Sequence, residues 1–272
     1  MRPRLLPCLL LLPLLAAAQA SEPPGAGSAA PERAEPARPT PPSRAAEAIR
    51  LGAREYRTQD GRSHALVWQP QGGIEGWIVT LHGSEGQATD EIVLWQPAAA
   101  KRRLGIIALQ WWLGGDSYYA LPDIRREVEV LMARTGATRD RTLLHGFSRG
   151  AANLYALVAM DGRQARPLFR HVLANAGGMS ADYPPNRAAG EGRFGAAPYR
   201  GTDWWLYCGD RDPHPDRDGC PAMRRTQAWL EQRGARTMLR ADPSGDHGGF
   251  HRNVDNIDAA LDWFLAAMQP GR

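Results

Sequence analysis

Two kinds of hydrophobic run alternate along this chain. Short, nearly continuous apolar runs occupy residues 76–81, 105–111, 141–145, 171–176 and 203–208, and 236–240 reads as the last strand. Runs this short and apolar at every position suit strands buried on both faces of a parallel sheet. Between them, apolar residues recur at helical spacing. One set is Ile92, Leu94 and Ala98, running on to about Arg103, with Asp90 as its expected cap. A second follows Pro122 as Ile124, Val128, Leu131 and Met132. A third, 151–160, is rich in helix formers, and a fourth, within 253–268, carries Ile257, Ala260, Leu261, Phe264 and Leu265. A proline at a first turn and apolar residues three and four apart predict amphipathic helices. Residues 52–60 and 62–69 alternate and meet at Asp60-Gly61, a hairpin signal. Residues 177–201, rich in Gly and Pro, read as a loop. The pattern predicts an α/β domain: a mainly parallel sheet with helices on both faces, an antiparallel N-terminal hairpin, and no large lid.

The first forty-odd residues break this pattern. Arg2 and Arg4 precede an apolar stretch at 5–15, and Ala18-Gln19-Ala20 follows. That is the layout of a cleaved export signal, with the mature chain expected to start at Ser21. The apolar stretch is too short to span a bilayer, and Cys8 lies inside it, not after the small-residue site, so a lipid anchor is not expected. Residues 21–44 are Pro, Ala, Gly, Glu and Arg without periodicity, a composition that cannot offset its ordering entropy, and read as a disordered tether. Residues 45–272 suit one domain with a sizeable core. The expected location is the periplasm or the medium, and the expected state a monomer.

Charge excludes one class of partner. The net charge is only +4, arginines are interspersed with acids, and Lys101 is the only lysine. A nucleic-acid protein would carry a basic stripe. Loss of the signal would leave Cys208 and Cys220, an even pair in an oxidising compartment, and a disulfide is expected between them.

The chemistry centres on Gly146-Phe147-Ser148-Arg149-Gly150, placed between the 141–145 strand and the 151–160 helix. Strand, G-x-S-x-G and helix together define a nucleophile elbow: a tight turn that lifts a serine hydroxyl to the positive end of a helix. Serine is a poor nucleophile unless a base takes its proton and a buried acid orients that base. In an open parallel sheet such groups lie just after strand ends. Asp210 and Asp212 follow the 203–208 strand, and His247 and His251 follow the last one. His64, His82, His145 and His171 precede the acids and suit edge, loop or core positions, while His214 shares a loop with the acid.

The resulting order, Ser then Asp then His, resembles that of the α/β-hydrolase superfamily, and the likeness runs from the hairpin to the closing helix. The short loops look like those of compact secreted esterases of the feruloyl-esterase and dienelactone-hydrolase kind. The resemblance implies serine hydrolysis of a carboxylic ester, with a small-molecule or polysaccharide-linked substrate and no cofactor. It favours Asp212 over Asp210 as the acid. It favours His247, in Gly245-Asp246-His247-Gly248-Gly249-Phe250, over His251 as the base. It puts the oxyanion donors at the backbone N–H groups of Arg149 and of Ser84, just after His82-Gly83. The Arg149 side chain has two readings: it sits over the pocket and pairs with a substrate carboxylate or the oxyanion, or it is a surface arginine paired with an acid such as Glu85. Trp111, Trp112, Tyr118 and Tyr119 are the expected pocket aromatics, with packing as the alternative.

Rival readings remain open at this point. Asp210, Asp212, His214 and Asp216 crowd together, but their spacing fits no metal template, and no metal is expected. A hydrolase-fold peptidase or acyltransferase, and an inactive binding protein, are the alternatives.

Overall fold

The computed structural model describes residues 44–269. The expected signal at 1–20 and nearly all of the expected tether lie outside the described residues. Arg44, assigned to the tether's end, instead precedes the first helix as its N-cap, and its guanidinium pairs with Glu47.

Eight strands form the central sheet: β1 (Arg54–Arg57), β2 (His64–Trp68), β3 (Gly76–Leu81), β4 (Leu104–Leu109), β7 (Thr142–Phe147), β8 (His171–Asn175), β9 (Asp203–Gly209) and β10 (Arg236–Asp242). Their spatial order is β1-β2-β4-β3-β7-β8-β9-β10. Only β2 runs against its neighbours, so the hairpin β1-β2 forms one edge and six parallel strands follow. A small ribbon, β5 (Trp112–Gly114) and β6 (Ser117–Tyr118), extends the chain after β4. The sequence pattern did not reveal it, because a three-residue strand is too short to set up an alternation.

Successive residues of a strand face opposite ways, so a strand buried on both sides must be apolar throughout. β3 illustrates this. Trp77, Val79 and Leu81 join one core layer, and Ile78 joins the other. The first layer packs under α3 (Leu121–Thr135), α4 (Arg149–Asp161) and α6 (Cys220–Glu231), the second under α1 (Ala45–Arg50), α2 (Ala88–Lys101) and α8 (Val254–Ala267). Two short helices, α5 (Arg187–Gly190) and α7 (Gly249–Arg252), complete the set. α3 begins with Pro122 in its first turn and stops at Gly136, which takes φ +73° and returns its N–H to Met132. That is a left-handed C-terminal cap. α2 begins earlier than its apolar spacing predicts: Gln87 is the N-cap, and Asp90 lies within the first turn. Helix α6 was not anticipated, because its exposed face carries Arg224, Arg225 and Glu231 and its stripe is narrow. Trp95, Trp111, Trp204 and Trp205 are buried, so much of the tryptophan content is core. No helix among the described residues is long and apolar enough to cross a membrane.

Cys208, near the end of β9, and Cys220, the first residue of α6, form a disulfide. Both are buried, and they bracket the loop that carries Asp212 and Asp218. Closing a loop of this length contributes about 3 kcal/mol through the unfolded chain. Reduction is therefore expected to lower the urea midpoint and, by loosening Asp212, to slow turnover. Unchanged midpoint and rate after complete alkylation would show that packing alone holds the loop.

Candidate active site

The elbow is built where β7 meets α4. Its glycines are needed on steric grounds. A Cβ at Gly146 would lie 2.6 Å from the Gly150 backbone, and one at Gly150 would lie 2.2 Å from the Leu81 carbonyl oxygen. Ser148 takes φ +53° and ψ −116°, a region that side chains other than glycine's rarely adopt. Its N–H donates to the Asn175 carbonyl at 2.9 Å, tying the turn to the end of β8.

Three polar side chains from separate strand ends meet above the sheet. His247 Nδ1 lies 2.8 Å from Asp212 Oδ2, and His247 Nε2 lies 2.9 Å from Ser148 Oγ. With Nδ1–H donating to the carboxylate, Nε2 is left to accept the serine proton. The Asp212 side chain is fully buried, and its Oδ1 accepts the His214 N–H at 2.8 Å. His247 is 28 % exposed, open enough to face a substrate. A second buried carboxylate, Asp218, stands 4.0 Å from His247 Nδ1 and is held by Arg217 at 2.7 Å. It was missed because it precedes α6 and belongs to no motif.

The turn carrying His247 is anchored by Asp242 at the end of β10. Asp242 accepts from the N–H groups of Ser244 and Gly245, from Asn256 Nδ2 and from the Tyr207 hydroxyl. Burial opposes its ionisation, but the hydrogen bonds from Asn256, Ser244 and Tyr207 prevail and bring its pKa down to about 2.

The alternative residues lie elsewhere. Asp210 is exposed and contributes its N–H to the Asp242 carbonyl. The His251 ring packs against Trp95, His145 and Phe147, and its Nε2 has no partner among the described residues. Nor do Asp210, Asp212, His214 and Asp216 converge as a metal set. Asp212 turns inward to His247, while the other three are exposed.

The Ser84 segment follows β3 and faces the serine on two sides, lining the clefts either side of Ser148. Gly83 allows this approach, since a Cβ there would meet Phe147 and the Ser148 Cβ. Glu85, next in the chain, takes φ +54°. The N–H of Arg149 opens α4, where helix geometry leaves it without an intrahelical acceptor.

The pocket aromatics divide. Trp111, Tyr118 and Tyr119 line a cavity of about 390 Å³ beside α4. Trp112 does not: its Nε1–H donates to the Gly115 carbonyl and steadies the ribbon. Tyr183, Pro185 and Phe194, from the segment between β8 and β9, close the cavity's far side. They were read only as loop, because Gly and Pro mask any periodicity there. Among the described residues Arg149 pairs with no acid; its guanidinium lies 4.5 Å from the Tyr118 ring centroid, and Glu85 instead donates its backbone N–H to the Tyr118 hydroxyl. A cation over an aromatic face is attracted by the ring quadrupole.

Beneath the site, burial lowers the pKa of His82 and of His251 to about 4 and that of His145 well below its ordinary value. Burial raises Glu91 to about 7, against the hydrogen bonds from Thr80 and Trp95. The histidines bind fewer protons folded than unfolded, so stability rises with pH between about 4 and 6.5. Glu91 does the reverse between its ordinary 4.5 and about 7. Burial also lowers His171 and raises Asp90 and Asp161, so four rings are set against three carboxyls, and stability is expected to rise from pH 4.5 to 6.5. Urea midpoints at the two pH values measure it; a flat or falling trend would refute these protonation states.

The sheet order, the single reversed strand and the elbow at the end of the third parallel strand define the α/β-hydrolase fold. Solved structures agree. A carboxylesterase from Mesorhizobium loti superposes with a TM-score of 0.57 at 16 % identity, over 78 % of this chain and 98 % of the other. A fluorophosphonate-binding serine hydrolase of Staphylococcus aureus gives 0.56 at 14 %, over 78 % and 97 %. A phospholipase/carboxylesterase from Dyadobacter fermentans gives 0.53 at 18 %, over 77 % and 98 %. At these identities the likeness is one of fold. No family model matches the sequence, and no curated protein does.

Proposed function

We propose that this protein is a serine hydrolase that cleaves a small carboxylic ester through an acyl-enzyme, and that it works outside the cytoplasm. The observation that carries the reading is the unbroken hydrogen-bonded chain Ser148–His247–Asp212, with two candidate N–H donors beside it. Ser148 Oγ attacks the ester carbonyl carbon as its proton passes to His247 Nε2. The carbonyl oxygen becomes an oxyanion and accepts from the N–H groups of Arg149 and Ser84. Asp212 stays ionised and stabilises the imidazolium. The bond to the alcohol oxygen then breaks, and His247 returns the proton to that leaving group. A water, deprotonated by His247, attacks the acyl carbon; the second tetrahedral intermediate collapses with cleavage of the acyl carbon–Oγ bond, His247 returns its proton to Ser148 Oγ, and the acid leaves.

Export is supported by the signal-like pattern at 1–20 and by the paired cysteines. Incubation of the purified protein with a fluorophosphonate and with short aryl esters tests the activity. Labelling at Ser148 together with ester turnover is expected. An unlabelled serine and no turnover would leave a binding protein on a hydrolase fold.

A further inference from the structure

Two cavities meet at Arg149. One, of about 400 Å³, contains Ser84, Ser148, Gly178 and Arg217. The other is the aromatic cavity of about 390 Å³ behind Tyr118, Tyr183 and Phe194. Arg149 and Tyr183 line both, so a molecule reaching from the serine into the aromatic cavity passes the guanidinium.

The charge state of that passage is unusual. Arg217, the other arginine there, is neutralised by Asp218 at 2.7 Å. Asp182 lines the serine cavity too, but is exposed to solvent. The half-buried Arg149 has no carboxylate or carbonyl partner among the described residues; only the Tyr118 face supports it. Tyr183, which also lines both cavities, is neutral, and its hydroxyl donates to Asn153 Oδ1 at 3.1 Å. An arginine carries five donors in a planar fork matched to a carboxylate, and leaving them unpaired in a half-dry cleft is unfavourable unless a ligand supplies the acceptor.

We infer that the substrate is an ester that carries a carboxylate and an apolar or aryl group: Arg149 holds the carboxylate and the aromatic cavity takes the apolar group. This rests on the serine-hydrolase reading and specifies its substrate class. The carboxylate belongs either to the acyl half or to the alcohol half of the ester. The ligand chemistry is the same, and the probes separate the two.

The test compares two matched pairs. For the acyl half, 4-nitrophenyl hydrogen glutarate is set against 4-nitrophenyl pentanoate. For the alcohol half, 3-carboxyphenyl acetate is set against 3-carbamoylphenyl acetate. For each pair the ratio of kcat/KM, anionic over neutral, is measured in the native protein, in Arg149→Gln and in Arg149→Lys. Dividing the native ratio by the variant ratio cancels both the intrinsic reactivity of the probes and any general loss in the variant. In one pair the ratio is expected to fall roughly tenfold to a hundredfold in Arg149→Gln, the worth of a charge-assisted hydrogen bond, and to recover in part in Arg149→Lys. The native preference should shrink with added salt. A guanidinium that only braces Tyr118, or that serves the oxyanion of every ester, would lower both members of each pair alike. Unchanged ratios in both pairs, with the neutral esters still turned over, overturn the inference and leave the esterase reading standing. No turnover of any probe and no fluorophosphonate on Ser148 overturn both.

Discussion

Ser148→Ala is expected to abolish ester hydrolysis, by on the order of 10⁵- to 10⁶-fold in kcat, while leaving the fold intact. The substitution removes Oγ, which hydrogen-bonds His247 Nε2 at 2.9 Å. The anchor of the turn is the Ser148 N–H on the Asn175 carbonyl, which alanine keeps. Alanine must still occupy φ +53°, as serine does, so the backbone strain is not increased by the exchange. The measurement is a pair: turnover of an aryl ester, and thermal unfolding. Retained turnover in a folded, highly purified variant would remove Ser148 from the mechanism.

Asp212→Asn is expected to lower kcat by about 10⁴-fold, the cost of presenting an amide where an imidazole N–H needs a carboxylate. Asparagine favours the wrong tautomer, in which Nε2 carries the proton and cannot accept the serine's. Asp210→Asn should change little, because that carboxylate is exposed and does not reach His247. Asp218 sharpens the comparison. It stands 4.0 Å from His247 Nδ1, and its charge is already engaged by Arg217. Asp218→Asn is therefore expected to cost far less than Asp212→Asn. A reversed order among the three variants would move the acid to whichever position proved most sensitive.

The fold was legible because the physics that builds it is local. A strand covered on both faces has to be apolar at every position, and 76–81, 171–175 and 203–208 are nearly so. Where that condition relaxes, legibility falls. β10 alternates exposed and half-buried residues up to the buried Asp242, and the sequence carries it only to Arg240; the ribbon β5-β6 is too short for any period. α6 escaped notice for the same reason: only Cys220, Ala222, Met223, Thr226 and Leu230 of it are buried.

The site divides along the same line. G-x-S-x-G was readable by itself, since both its glycines answer contacts made within the turn or with the adjoining strand end. The acid was narrowed to two aspartates and the base to two histidines, and local sequence goes no further. Asp212 and His247 are 35 residues apart, and His247 and Ser148 are 99 apart. Which members of each pair meet depends on the direction each loop leaves its strand. Tertiary contacts set that direction: Asp242 gathers the His247 turn, and the disulfide brackets the Asp212 loop. Arg149 shows the limit most clearly. The sequence offers two readings of its side chain and leans towards a surface arginine paired with an acid; the Tyr118 ring beneath it, which arrives from the ribbon after β4, is a tertiary contact. The sequence by itself determined the strand-helix alternation, the elbow and the types of residue the chemistry needs, because periodicity and turn sterics act over a few neighbouring residues. The pairing of His247 with Asp212, the second carboxylate, the lack of an acid partner for Arg149 among the described residues and the walls of the aromatic cavity were decided only by tertiary structure, because each joins side chains that the chain brings together from distant strands and loops.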